Sequence, residues 1–135
     1  MAISVLSLMN AVQRLLEGLA RYEQDTSDAQ IRDGLIQRFE FTYEIAHKTL
    51  KRYLEASSAN PAQFDAMPFA DLIRSANEQG LLLNDWSTWK VFREMRGKTS
   101  LTYDEHIAIE VAKEIPLFLQ EAQYLLARLT ERSLP

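Results

Sequence analysis

Between Asp28 and Ala56 two apolar series run side by side. Leu35, Phe39, Thr42, Ala46, Thr49 and Tyr53 form one series, and Ile36, Tyr43, Leu50 and Leu54 form the other. Steps of three and four keep each series on a single stripe of a helix. Two stripes on one long helix require two neighbours, which is the situation inside a helical bundle. The charges of this segment cancel: Arg32, Arg38, Lys48, Lys51 and Arg52 face Asp28, Asp33, Glu40, Glu44 and Glu55. A sheet has no use for this pattern, since a strand would need alternation with a period of two.

The flanking segments repeat the helical period. Val5, Leu8, Val12, Leu15, Leu19 and Tyr22 predict a first helix over about Ser4 to Tyr22. The turn Asp25-Thr26-Ser27-Asp28 follows, in which Ser27 and Gln30 have capping-box spacing and Asp28 competes as the cap. Ser57 to Pro68 is a polar connector, and a short helix is expected from Phe69 to Gln79, stopped at Gly80. Leu81-Leu82-Leu83 is apolar but too short to assign. Asn84 or Asp85 caps a helix from Trp86 to about Arg96, ended by Gly97. Thr102 and Glu105 have capping-box spacing for a last helix to about Arg132, with the seam Ile107, Val111, Ile115, Phe118, Ala122, Leu125 and Leu129 and an expected kink at Pro116. The fold class is therefore all-α: an antiparallel up-and-down four-helix bundle with one additional short helix, in a single domain over 1–135.

Composition narrows the function classes. Only 4 Gly and 4 Pro punctuate 135 residues, as long helices require, and 47% hydrophobic content supports a packed core. The absence of Cys excludes disulfides, thiolate metal sites and a cysteine nucleophile. A net charge of -4 disfavours a generally basic nucleic-acid binder. Val5 to Ala20 is broken by Asn10, Gln13, Arg14 and Glu17, so it reads as neither signal peptide nor membrane span, and a cytoplasmic protein is expected.

Chemistry-bearing patterns are few. Glu44 and His47 have the spacing of half a di-iron carboxylate site, but no second Glu-x-x-His exists, and the two are ordinary neighbours on a helix. No metal and no cofactor are expected. Gly-rich phosphate loops and nucleophile elbows are missing. Trp86, Trp89 and Phe92 read as packing groups. One segment stands out in charge: from Trp86 to Thr102, Lys90, Arg93, Arg96 and Lys98 oppose only Glu94, a local +3 in a chain of -4. Lys90, Arg93, Arg96 and Lys98 are thus candidates for holding a phosphate or nucleotide. The same cations also suit a solvated helix C-terminus, where they complement the dipole, and composition alone favours that plainer role.

Two stretches resemble a known family. They are Ile31–Ala46 (IRDGLIQRFEFTYEIA) with Lys48–Leu54 (KTLKRYL), and Arg93–Glu105 (REMRGKTSLTYDE). They are similar to the nucleotidyltransferase substrate-binding proteins of the HEPN superfamily, which includes the HepT toxins and the C-terminal domain of kanamycin nucleotidyltransferase. The resemblance implies a homodimeric helical bundle whose partner is a separately encoded minimal nucleotidyltransferase. It implies one of two roles. In the first, the chain is a non-catalytic substrate-binding or partner subunit. In the second, it is a metal-independent ribonuclease toxin acting on RNA, silenced when the nucleotidyltransferase transfers AMP to a tyrosine.

The ribonuclease motif of that branch is Arg, a spacer of four to six residues, His, one residue, Tyr. Arg96 and Tyr103 match in register, and Leu101 stands at the position of the His. Imidazole exchanges protons near neutral pH and leucine does not. Arg96 would be catalytic only in the ribonuclease role, and His106 lies five residues past Leu101, within the expected last helix. The departure favours the partner-subunit role over the nuclease, and the local +3 favours either over a purely structural adaptor. Tyr103 is the implied acceptor of AMP, expected as the first residue of the last helix, where free amides favour a phosphate. The plainer alternative has its ring packed on Ile107. A neutral phenol is a weak nucleophile, so the activating base or metal is assigned to the partner.

Overall fold

The computed structural model describes residues 3–133 and is helical throughout. Five α-helices follow one another: α1 (Leu6–Gln24), α2 (Ala29–Ala56), α3 (Phe69–Glu78), α4 (Trp86–Lys98) and α5 (Glu105–Ser133). Short 3₁₀ turns at Pro61–Phe64 and Thr99–Leu101 complete the order. The four longer helices build the bundle and α3 is the additional short one. α2 packs on α1, α3 and α5 and meets α4 through Tyr43 against Trp89 and Glu44 against Arg96, which is what its two stripes demand. All ten residues of those stripes are buried. Thr42 and Thr49 are tolerated there because each hydroxyl donates to a carbonyl one turn back, Arg38 at 2.6 Å and Ile45 at 2.7 Å.

Aromatic rings fill the centre between α2, α4 and α5. Phe118 meets Phe39 at 5.0 Å and Phe92 at 5.2 Å, both edge to face, and Trp89 meets Phe92 at 5.3 Å. These are favourable aromatic geometries. Trp89 and Phe92 are wholly enclosed and Trp86 is partly so, in keeping with their expected packing role. α5 runs on through Pro116, which lies on the exposed side of the helix.

The helix ends refine the sequence reading. Asp28, not Ser27, caps α2, accepting from the Ile31 N–H at 3.1 Å; the Ser27 hydroxyl is already given to Asp25. Asp85, not Asn84, caps α4, accepting from the Ser87 N–H. Gly80 has a φ of +75° and closes α3, with the Leu81 N–H reaching back to the Ala76 carbonyl. Gly97 does not end α4. The helix passes through it to Lys98, because Thr99 takes over the terminus: its backbone N–H and its hydroxyl both donate to the Arg96 carbonyl.

Thr102 does not cap α5. Asp104 does, accepting from the N–H groups of His106 at 2.9 Å and Ile107 at 3.4 Å, while the Thr102 hydroxyl donates to the Thr99 carbonyl. A carboxylate accepts two amides at once, and this displaces the expected start of α5. Glu105, freed from a capping box, pairs with the buried Arg32 at 3.6 Å. Arg32 also donates to the Tyr22 hydroxyl and the Thr26 carbonyl, so one guanidinium ties together α1, α2 and α5.

Leu81, Leu82 and Leu83 form the α3–α4 connection. Leu81 and Leu82 are buried. Glu121, inside α5 and 0% exposed, holds the connection in place. Its carboxylate accepts from the Leu83 N–H at 2.7 Å, the Asn84 N–H at 2.9 Å and the Trp89 indole N–H at 2.8 Å. Burial pushes its pKa up, and these three donors pull against that shift.

Candidate functional site

The basic segment does not remain one patch once folded. α4 carries Lys90, Arg93, Arg96 and Lys98 around its circumference, and two of the four are taken by acids. Arg96 turns toward α2, where its guanidinium pairs with Glu40 at 3.4 Å and donates to Glu44 in a short hydrogen bond. It also donates to the Thr99 hydroxyl at 3.0 Å. The hydrogen bond to Glu44 holds the arginine above its already high range, and the same bond holds the Glu44 carboxyl below the ordinary carboxylate value. Lys98 turns toward α5 and pairs with Glu110 at 3.7 Å.

Lys90 and Arg93 have no acidic partner among the described residues. Arg93 lies over the Phe69 ring, 5.8 Å from its centre, a cation–π placement that leaves its N–H edge open. The half-buried His47 ring meets the same Phe69 edge-on at 4.7 Å. Burial lowers the His47 pKa, and the nearby charges of Lys51 and Arg93 lower it further. Tyr43, deeper in the same wall, is pushed up to about 12 by burial.

Glu40 and Glu44 are the site residues the sequence reading did not assign to Arg96. Charge balance along α2 hid them, because each glutamate lies among cations of its own helix while its partner is on α4. Glu44 therefore serves Arg96, and its spacing to His47 is incidental.

Beyond Arg96 the chain makes a tight corner. Leu101 is 40% exposed and Tyr103 is 88% exposed. Tyr103 stands two residues before α5, outside the helix, and its ring does not pack on Ile107. His106 lies in the first turn of α5 and is exposed. The arrangement around Arg96 can bind and orient an anionic group only in exchange for its carboxylates, and Leu101 brings no proton-transferring atom to it. Tyr103 offers a freely approachable hydroxyl beside the Asp104 cap.

Comparison with known proteins places this geometry. Residues 4–131 match the family model described as nucleotidyltransferase substrate binding protein like. A Haemophilus influenzae protein named probable ribonuclease HepT is 41% identical over 100 residues, covering 74% of this chain and 68% of that protein. A solved structure from the same species, described as revealing the fold of a substrate binding domain of a nucleotidyltransferase, superposes with a TM-score of 0.88 at 32% identity. That match covers 94% of this chain and 99% of the other. No helix among the described residues is long and apolar enough to cross a membrane.

Proposed function

The chain belongs to the nucleotidyltransferase substrate-binding-protein-like family, and on that premise we propose that it is the non-catalytic helical subunit of a two-component nucleotidyltransferase system. Its partner is a separately encoded minimal nucleotidyltransferase, which it docks in the cytoplasm. The observation that carries the non-catalytic reading is Leu101, an alkyl side chain where RNA cleavage would need a proton carrier beside Arg96. The Glu40–Arg96–Glu44 clamp supports it, since the guanidinium is engaged by two carboxylates of its own chain.

Tyr103 is the acceptor in this system. Its oxygen attacks the α-phosphorus of ATP, the bond to pyrophosphate breaks, and the phenolic proton passes to a base of the partner. An exposed side chain at a corner suits this step, because a second protein's active site has to close around it. The chain acts as a homodimer, and Leu6, Met9 and Leu16, exposed along one side of α1, supply apolar surface for that contact.

The relative named as a ribonuclease supports a second reading. In it the chain cleaves RNA with Arg96 as the phosphate-binding catalytic residue, and modification of Tyr103 silences it. Incubation of the purified protein with unstructured RNA separates the two. The partner-subunit reading predicts no cleavage. Cleavage abolished by Arg96→Ala overturns it in favour of the nuclease.

A further inference from the structure

We propose that His47 and Arg93, which both rest on Phe69 where α2, α3 and α4 meet, form with Lys51, one turn beyond His47, a binding site for a dianionic phosphate group. Phe69 is the shared seat. Its ring holds the Arg93 guanidinium 5.8 Å above its centre and the His47 imidazole at 4.7 Å against its edge. Lys51 lies one turn beyond His47 on the same side of α2. None of the three side chains has a hydrogen-bond or ion-pair partner among the described residues.

The surrounding charges leave the site positive. On α2, Glu44 is bonded to Arg96, Tyr43 is buried and neutral, and Lys48 beside His47 offsets Glu55, which lies one turn beyond Lys51. On α3, Asp71 is paired with Arg74 at 3.0 Å. On α4, Lys90 lies one turn before Arg93 and adds a further cation, while Arg96 faces its two glutamates. Two fixed cations and a titratable imidazole beside an apolar ring suit a group of charge -2. A guanidinium fixed over a ring has lost little freedom on binding, which favours affinity. The shared chemistry is that of a terminal phosphate, whether free or carried by a nucleotide.

Occupation must change the imidazole. Lys51 and Arg93 now hold His47 toward its neutral form. A bound dianion reverses that field, so the folded protein takes up a proton at His47 as the ligand binds, and binding of a dianion that keeps both charges, such as sulfate, tightens as pH falls. The site does not depend on the partner-subunit reading, because its ligand binds the isolated chain.

The test follows the histidine Cε1–H resonances of the full chain by NMR through a pH titration. Inorganic phosphate is compared with chloride at equal ionic strength, with sulfate as a dianion that does not itself titrate. The His47 midpoint rises by about one unit in phosphate and in sulfate, equivalent to about tenfold tighter binding to the protonated form. The exposed His106 does not follow. Arg93→Gln and Lys51→Gln each abolish most of the anion-induced rise. AMP and adenosine separate the sources: a larger effect of AMP than of phosphate marks a nucleotide site, and equality marks a phosphate site. The proposal fails if chloride produces the same rise, if His106 moves equally, or if the rise survives both substitutions.

Discussion

Replacing Glu121 by Gln alters a single atom of a wholly buried side chain. Both carboxylate oxygens are occupied, one by the Asn84 and Trp89 N–H groups and the other by the Leu83 N–H. An amide has only one acceptor oxygen, so in either orientation its NH₂ group faces at least one donor. A buried donor left without an acceptor costs about 1–3 kcal/mol, and the bonds that remain lose their charge assistance. Relief from burying a charge offsets part of this, leaving a net loss of about 2 kcal/mol. With an unfolding entropy of about 2.1 cal/mol/K per residue over this chain, each kcal/mol moves Tm by roughly 3–4 °C. Thermal melts by circular dichroism at neutral pH are therefore expected to show Tm lower by about 7 °C. Faster amide exchange should be confined first to the Leu81–Asp85 connection. An unchanged Tm would refute the reasoning and show that burial of Leu81 and Leu82 alone fixes the connection.

Gly80→Ala, at a φ of +75°, is expected to destabilise by about 1 kcal/mol, read as a shifted urea midpoint with unchanged slope. Asp104→Ala removes the α5 cap and is expected to cost about 1 kcal/mol, with amide exchange rising at His106 and Ile107 before the rest of the helix. The Glu44 carboxyl titrates below its unfolded value, so its bond to Arg96 contributes above the unfolded pKa and is lost as pH falls through the folded one. Arg96→Ala should accordingly flatten the fall of stability below about pH 4.5 seen in urea titrations of the parent protein. An equal acid sensitivity in both proteins would count against that clamp.

The double stripe of α2 made the bundle legible, because burial against two neighbours leaves a periodic trace on one helix. The seam of α5 was equally readable, and Ile107 proved only partly covered at its end. Helix ends were less legible where several residues could supply the same hydrogen bond. At Ser27–Asp28 and Thr102–Asp104 the carboxylate took the cap, since each hydroxyl serves another acceptor, the Asp25 carboxylate for Ser27 and the Thr99 carbonyl for Thr102. Gly97 misled for another reason: glycine permits a helix stop without requiring one, and Thr99 holds the terminus instead.

Polar groups buried by tertiary contact left no periodic signal. Arg32 counted only among the balancing charges of α2 and nothing in the pattern singled out Glu121, so only the fold shows that they tie distant elements together. The basic segment was visible as a charge excess, but its division was not. Arg96 and Lys98 meet Glu40, Glu44 and Glu110 on other helices, while Lys90 and Arg93 have no acidic partner among the described residues. The corner at Leu101 and Tyr103 was readable in register from the motif, and the exposure of Tyr103 followed only from the turn that Asp104 imposes.

The most direct test of the partner-subunit account is co-expression of this chain, tagged, with the minimal nucleotidyltransferase encoded beside it, followed by native and intact mass spectrometry of the purified material. The account predicts a stable complex containing both proteins, with the mass of AMP added to this chain and mapped to Tyr103, and with Tyr103→Phe keeping the complex while losing the addition. Recovery of this chain alone, with an active transferase left unbound, would contradict it.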